Sequence, residues 1–422
     1  MSQSDRGGLG RRNILKAGAA LGGAAISGFP MIAFGQGRQP IKVGMPTILS
    51  GRVAQLGVSS RNAVMMEVER FNAAGGLDGR PIEVIVRDSR GVPAEAARIA
   101  REMISSDGVD LLLDGEPSSG GFAVHEVVRE SGTLTIHLNS ETSSLTADPK
   151  QRFWNAFRVA RVGIHDSIAG GAYAAEIVKA RNLKRWMTVS PDYAYGRDTT
   201  AEFMEYLRHF APDVQVIGET WPKLFQPDYT ENVTRLVQGR PQAVYSCLWA
   251  GDLVTFVEQA SLYGLFNQSQ FFAVNMADYT TLQQVKALPR GVHSGNRYLK
   301  NFPNVPGNLS FAEEYHRRYN TYPTNWSWQS ATGVHLLVAA LKKVGGTDPR
   351  KLAEALRGMT IESPFGADGK VTMRAEDQTL VGYAIGWGTT IPNDPYVEGM
   401  KTADWNMIFR LEQEWKKAKG WA

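Results

Sequence analysis

A chain of 422 residues exceeds what one ordinary hydrophobic core serves, so two lobes or domains are expected. With 43% hydrophobic and 21% charged residues, the composition is that of a soluble globular protein and excludes extended disorder. The formal net charge of +4 is no argument for a nucleic-acid partner, because Arg6, Arg11, Arg12 and Lys16 against Asp5 supply +3 of it from one short segment.

That first segment reads as an export address. In Gly10-Arg11-Arg12-Asn13-Ile14-Leu15-Lys16 two arginines precede a polar residue, two apolar ones and a lysine, and the following stretch 17–34 carries no charge. The stretch is rich in Gly and Ala and is broken by Pro30, so residues 1–35 suit a cleaved signal of the twin-arginine (Tat) type better than a spanning helix. The Ser or Thr usual before the arginines is Gly10 here. A soluble periplasmic protein is expected, and its single cysteine, Cys247, forms no internal disulfide.

From Ile41 short apolar runs alternate with amphipathic ones. IKVGMPT, PIEVIVRD, VDLLLD and LTIHL read as strands, with helices predicted over 58–71, 93–104 and 122–130 between them. A second series follows, in which RWMTVS, QVIGETW, AVYSCLW and FFAVN read as strands and 165–180, 198–210, 231–237 and 252–262 as helices. Such alternation implies parallel-rich sheets with helices on both faces, an α/β fold of two Rossmann-like lobes. After HSGNRYL come two more helical stretches, 310–319 and 326–344, then SPFGADGK and a strand-like GYAIGWG. Read as a return to the first lobe and a crossing back, these give residues 40–158 with 296–363 as one lobe and 159–295 with 364–422 as the other. The crossovers fall near Val159, Asn296 and Pro364.

VDLLLD ends in the turn GEPSSGG, which places Ser118 and Ser119 at or beside the N-cap of the following helix. Free backbone N–H groups and the positive end of the helix dipole favour a carboxylate there, although plain N-capping uses the same residues. Other chemistry is missing. Seven histidines form no HxxxH pair, and one cysteine builds no thiolate site, so no metal centre is expected. No Walker A loop occurs, no GxGxxG follows a strand, and the G-x-S-x-G elbow is absent, so no cofactor is expected either.

LSGRVAQLG (Leu49 to Gly57), RFNAAGGLDGRPIEVIVRDSRGVPAEAAR (Arg70 to Arg98) and the DGEPSSGG turn follow one another in an order and spacing that resembles the periplasmic leucine/isoleucine/valine-binding proteins. SPDYAYG (Ser190 to Gly196) and AVYSCLWAGD (Ala243 to Asp252) resemble that family's next ligand-facing loops. The resemblance implies a type I periplasmic binding protein with a three-stranded hinge. It also implies a soluble monomer that carries out no covalent chemistry and hands a small ligand to an inner-membrane ABC permease.

Residue by residue, the resemblance implies that Ser118 or Ser119 holds the ligand carboxylate. Asn139, Ser140 and Thr142 fall where the family faces the ligand's amino and carboxylate groups, a gap of one residue leaving open which of them aligns. Tyr195 corresponds to a tyrosine that closes from the second lobe, Trp249 replaces a further aromatic, Leu56 lines the side-chain pocket and Trp326 falls near another family tyrosine. The acid that pairs with the ligand's ammonium aligns with Asn275, and losing a hydrogen bond to a charged group costs about 1.5 to 3 kcal/mol. Asp278 is the nearest substitute, and Arg52 is placed to add an anion contact. The solute is then a branched-chain or other hydrophobic amino acid, or an aromatic carboxylate or amide. Two readings from other classes are a secreted amide or ester hydrolase using Ser118 or Ser119 as nucleophile, and a ligand-sensing module.

Overall fold

The computed structural model describes residues 39–422, so the twin-arginine segment lies outside the described residues. The first sheet holds β1 (Ile41–Thr47), β2 (Ile82–Asp88), β3 (Leu111–Asp114), β4 (Leu134–His137) and β5 (Ala156–Arg158), all parallel, in the order β2-β1-β3-β4-β5. Its central strands read as unbroken apolar runs because both faces are covered: β3 is buried at every position. The covering helices are α1 (Gln55–Ala73), α2 (Pro93–Glu102), α3 (Ser118–Ser131) and the single turn α4 (Ser144–Ala147). Pro93 opens α2, where its missing N–H is no loss.

The second sheet is built from β6 (Arg185–Val189), β7 (Gln215–Thr220), β8 (Ala243–Ser246), β9 (Gln270–Ala273) and β11 (His293–Tyr298), with the two-residue β10 (Ala277–Asp278) beside β11. Helices α5 (Gly163–Arg181), α6 (Ala194–Phe210), α7 (Thr230–Gly239), α8 (Ala250–Leu262), α9 (Leu265–Gln268) and α10 (Tyr279–Leu282) accompany it. The chain then returns to the first lobe with α11 (Pro306–Tyr319), α12 (Asn325–Val344) and α13 (Pro349–Leu356), α12 packing along α1. A small antiparallel sheet, β12 (Thr360–Glu362), β13 (Lys370–Met373) and β14 (Leu380–Val381), follows. Finally β15 (Gly386–Thr390) joins β11 antiparallel, β16 (Val397–Thr402) extends the edge, and α14 (Trp405–Lys419) closes the chain, giving the order β16-β15-β11-β9-β8-β6-β7.

The chain thus passes between sheets three times: after β5, after β11 and after β14. Strand β11 continues to Tyr298, two residues past Asn296, and the last passage follows Val381 rather than Pro364, because the SPFGADGK turn belongs to the small sheet. The passages lie side by side and are tied together. Arg158 N donates to Gln378 O at 2.9 Å, Val162 N to the Tyr383 hydroxyl at 3.0 Å and Arg161 Nη1 to Ala384 O at 3.3 Å. Among the described residues no helix is long and apolar enough to cross a membrane.

Candidate ligand-binding cleft

In a parallel sheet the strands end, and the next helices begin, at one edge. Here the two edges face each other, so the first turns of α1, α3 and α12 oppose those of α6, α8 and α10 across one cavity. Leu56, Ser118, Asn325 and Trp326 come to it from the first set, and Tyr195, Ala250 and Thr280 from the second. Helix starts present unpaired N–H groups and partial positive charge, which favours an anion between them.

Eight of the residues singled out from the sequence share this wall: Leu56, Ser118, Asn139, Tyr195, Trp249, Asn275, Asp278 and Trp326. The α3 N-cap is Pro117, not a serine, and its helix has no side-chain cap. Ser118 is therefore the first helical residue, and its Oγ accepts from Thr142 N at 3.2 Å. Ser119, one residue on, is half-buried and off the wall. Ser140 turns away as well, its hydroxyl donating to Glu116 O at 3.1 Å. The Thr142 hydroxyl donates to Asp198 of the second lobe rather than facing the cavity. Arg52 is spent at the cleft mouth, where its Nη2 donates to Thr255 Oγ1 at 2.8 Å and its Nε lies 3.6 Å from Asp252, so it joins the lobes and is not an anion contact in the cavity.

The aromatic groups make a slot. Trp249 and Trp326 meet edge to face at 5.7 Å from opposite lobes, and Tyr193 joins Tyr195 on the wall, their rings 5.9 Å apart. Polar atoms are aimed in among them. Asn139 Nδ2 donates to Ser60 Oγ at 2.8 Å and Gly115 O at 3.0 Å, which fixes the amide and leaves its buried Oδ1 without a partner. The Trp249 Nε1 is buried without an acceptor. Asn275 gives its NH₂ to Cys247 O at 3.0 Å and Leu248 O at 3.1 Å, so only its carbonyl side is left for a ligand.

Charge enters at the floor through Arg297 and Glu141, which sequence reasoning missed, and through Asp278, which it offered as a substitute acid. Arg297, on β11, pairs with Glu141 and with Asp166 Oδ2, the latter at 2.6 Å, and Arg161 pairs with the same Asp166. Burial disfavours the Arg297 charge, but Glu141 and Asp166 outweigh it and hold the guanidinium protonated. Glu141 also accepts from Asn325 Nδ2 at 2.6 Å. Asp278 accepts from Thr280 N at 2.9 Å on one oxygen and from Asn325 N at 2.6 Å on the other, while burial pushes its pKa up. Signals for the missed wall residues were present. Tyr193 shares the SPDYAYG loop with Tyr195, and Arg297 is the single formal charge in HSGNRYL. Glu141 lay between Ser140 and Thr142, inside the one-residue gap.

Behind α3 a hydrogen-bonded chain runs through the first lobe. His137 Nδ1 lies 2.6 Å from Asp114 Oδ2, His137 Nε2 lies 2.9 Å from His125 Nδ1, and His125 Nε2 lies 2.6 Å from the Gln151 carbonyl. Glu116, fully buried beside Asp114, has no partner on either carboxyl oxygen. Among the described residues no group of three His, Cys, Asp or Glu is arranged to hold a metal.

Two parallel-rich α/β lobes, joined by three adjacent passages and opening on a cleft between helix starts, define the type I periplasmic binding protein architecture. The family model for periplasmic binding proteins matches residues 40–385, and the chain belongs to that family. A relative from Brucella abortus, Leu/Ile/Val-binding protein homolog 4, is 23% identical over 376 residues, 86% of each chain. A solute-binding protein of an ABC transporter from Rhodopseudomonas palustris, solved with 3,4-dihydroxybenzoic acid, superposes with a TM-score of 0.77 at 23% identity, covering 85% of this chain and 95% of that one. Another from R. palustris, solved with benzoate, gives 0.74 at 20% identity, covering 86% and 97%.

Proposed function

We propose that the chain is a periplasmic receptor of an ABC importer that captures a small aromatic carboxylate between its lobes. The observation that carries this reading is the slot of Trp249, Trp326, Tyr193 and Tyr195 standing over the start of α3. The carboxylate sits on Ser118 and the first-turn N–H groups of α3, and the ring lies among the aromatic walls. The benzoate and dihydroxybenzoate in the R. palustris structures favour the same class. In this reading the two lobes are the moving bodies and the three passages between them are the hinge. Closure follows the state that the ligand binds better.

A hydrophobic amino acid is the second reading, favoured by the Brucella relative's name and by the two carboxylates, Glu141 and Asp278, on the wall. Both are already engaged: Glu141 by Arg297 and Asn325, Asp278 by Thr280 and Asn325. An ammonium would have to displace one of those donors or remain unpaired in a buried site. The hydrolase reading finds no support, since no histidine lines the cavity and the Ser118 hydroxyl is held by Thr142 N.

The test is a thermal-shift series with benzoate, 4-hydroxybenzoate, leucine and phenylalanine on protein freed of co-purified ligand. A binder at 100 times Kd adds about 2.7 kcal/mol of stability. Aromatic acids are expected to raise the midpoint, and Trp249→Ala to weaken their binding about ten-fold or more. A response to leucine with none to benzoate would assign the amino-acid class instead.

A further inference from the structure

The second-lobe wall of the cleft carries two neighbouring side chains with bonds still to make. Asn275 lies just past β9 and Tyr195 is the second residue of α6, and both line the cavity. Asn275 Nδ2 lies 3.0 Å from Cys247 O, 3.1 Å from Leu248 O and 3.1 Å from the Tyr195 hydroxyl oxygen. Carbonyl oxygens only accept, so turning the amide round would set oxygen against oxygen, and its orientation is fixed. The Asn275 Oδ1 then accepts from no group among the described residues, and it is not sealed from the cavity. The Tyr195 hydroxyl is open in the opposite sense. It accepts from Asn275 Nδ2, an amide nitrogen that takes no proton in return, and its own proton meets no acceptor among the described residues. Burial pushes the phenol well above its ordinary range, so that proton stays in place.

An acceptor and a donor side by side suit a group that donates and accepts at one atom. A hydroxyl does both. An ammonium only donates and leaves the Tyr195 proton without an acceptor, while a carboxylate only accepts and faces the Asn275 oxygen. A bare ring makes neither bond and strands both polar groups in a dry site. Ser118 and the first turn of α3 stand on the opposite lobe, so a ligand whose carboxylate rests there turns its far end to Asn275 and Tyr195.

We propose that Asn275 and Tyr195 select a hydroxyl on the ring edge remote from the carboxylate, so that the cleft takes hydroxylated aromatic acids in preference to their unsubstituted parents. The ligand hydroxyl donates to Asn275 Oδ1, and its oxygen accepts from the Tyr195 hydroxyl. A site built to bond a hydroxyl rejects the analogue that lacks it, because the site's own polar groups are left unpaired. This selection rests on the aromatic-carboxylate reading above and adds the substituent to it.

Calorimetric titration of the ligand-free protein measures Kd for two matched pairs, benzoate with 4-hydroxybenzoate and cinnamate with 4-hydroxycinnamate. In the pair that the slot accommodates, the hydroxylated acid is expected to bind about ten-fold tighter or more. Tyr195→Phe keeps the ring and removes only the hydroxyl; it is expected to cut that ratio to about three-fold or less and to move the Kd of the unsubstituted acid by no more than about two-fold. Asn275→Ala is expected to cut the ratio likewise, and Tyr195→Phe decides alone if loss of the ties to Cys247 and Leu248 keeps the alanine variant from folding. A purely structural role would weaken both members of a pair alike. Equal binding of the two members, or a ratio that survives the substitutions, overturns the selection and leaves the aromatic-acid reading standing. Silence toward all four acids overturns that reading and the selection with it.

Discussion

At the scale of single residues, the chain Asp114–His137–His125–Gln151 fixes where one proton resides. The Gln151 carbonyl can only accept, so His125 carries its proton on Nε2 and accepts at Nδ1, and His137 must donate from Nε2. That leaves His137 Nδ1 and Asp114 Oδ2 sharing one proton. Burial moves Asp114 and Glu116 up to about 8 and His125 and His137 down to about 3, which leaves the proton on Asp114. Against ordinary values of 3.8, 4.5 and 6.5, the folded and unfolded chains bind equal numbers of protons at these four groups between roughly pH 4.5 and 6.5. From pH 6.5 to 8 the unfolded histidines have lost their protons while the folded acids keep theirs. Stability therefore falls as pH rises, by about 1.4 kcal/mol per pH unit for each proton retained. Urea melts at pH 6.5 and 8 should record this loss, and Asp114→Asn, whose amide donates where the acid does, should reduce it. An unchanged loss in that variant would mean that the Asp114–His137 pair retains no proton in this range. None of this was legible in a sequence where seven histidines looked scattered, because the chain joins two strand ends, one helix and a loop that only the sheet order brings together.

At the scale of elements, the cleft depends on how closely helix starts approach the strands that feed them. Gly57 is the third residue of α1 and Gly196 the third of α6. A Cβ on Gly57 would overlap the Ile48 carbonyl oxygen, and one on Gly196 the Pro191 carbonyl oxygen. Both obstacles are backbone, so each helix would have to move off its own entry loop. Gly57→Ala and Gly196→Ala should each cost about 2 kcal/mol or more, read from urea midpoints, whereas alanine in an open helix position is favourable. Periodicity carried most helices and strands to within a few residues, since helices such as α2, α6 and α7 keep an apolar face. The tail was harder. Strands β12, β13 and β16 are short and partly exposed, so they lack an apolar run. Helix α14 did carry a signal, Ile408, Leu411 and Trp415 at helical steps, which the reading of the sequence passed over.

At the scale of the whole molecule, two sets of contacts govern closure. The first is the floor, where Arg297 ties Glu141 of the first lobe to Asp166 at the start of α5. Removing one partner of a buried pair strands the others, so Arg297→Leu should destabilise the fold by about 3 to 5 kcal/mol, measured by denaturant. The second is the mouth, where Arg52 reaches Thr255 and Asp252. Arg52 is partly exposed and touches no part of the cavity wall, so Arg52→Ala should leave stability nearly unchanged and raise the ligand Kd by only a few-fold, about the value of an exposed pair. Stopped-flow release should place that change in the dissociation rate. The edge-to-face pair of Trp249 and Trp326 has an optical consequence. Two indoles held this close in a chiral arrangement couple their electronic transitions, and each belongs to a different lobe. When the lobes part, the coupling collapses with distance, so the near-ultraviolet circular dichroism of this pair is a built-in gauge of closure that needs no label, and either Trp249→Phe or Trp326→Phe silences it.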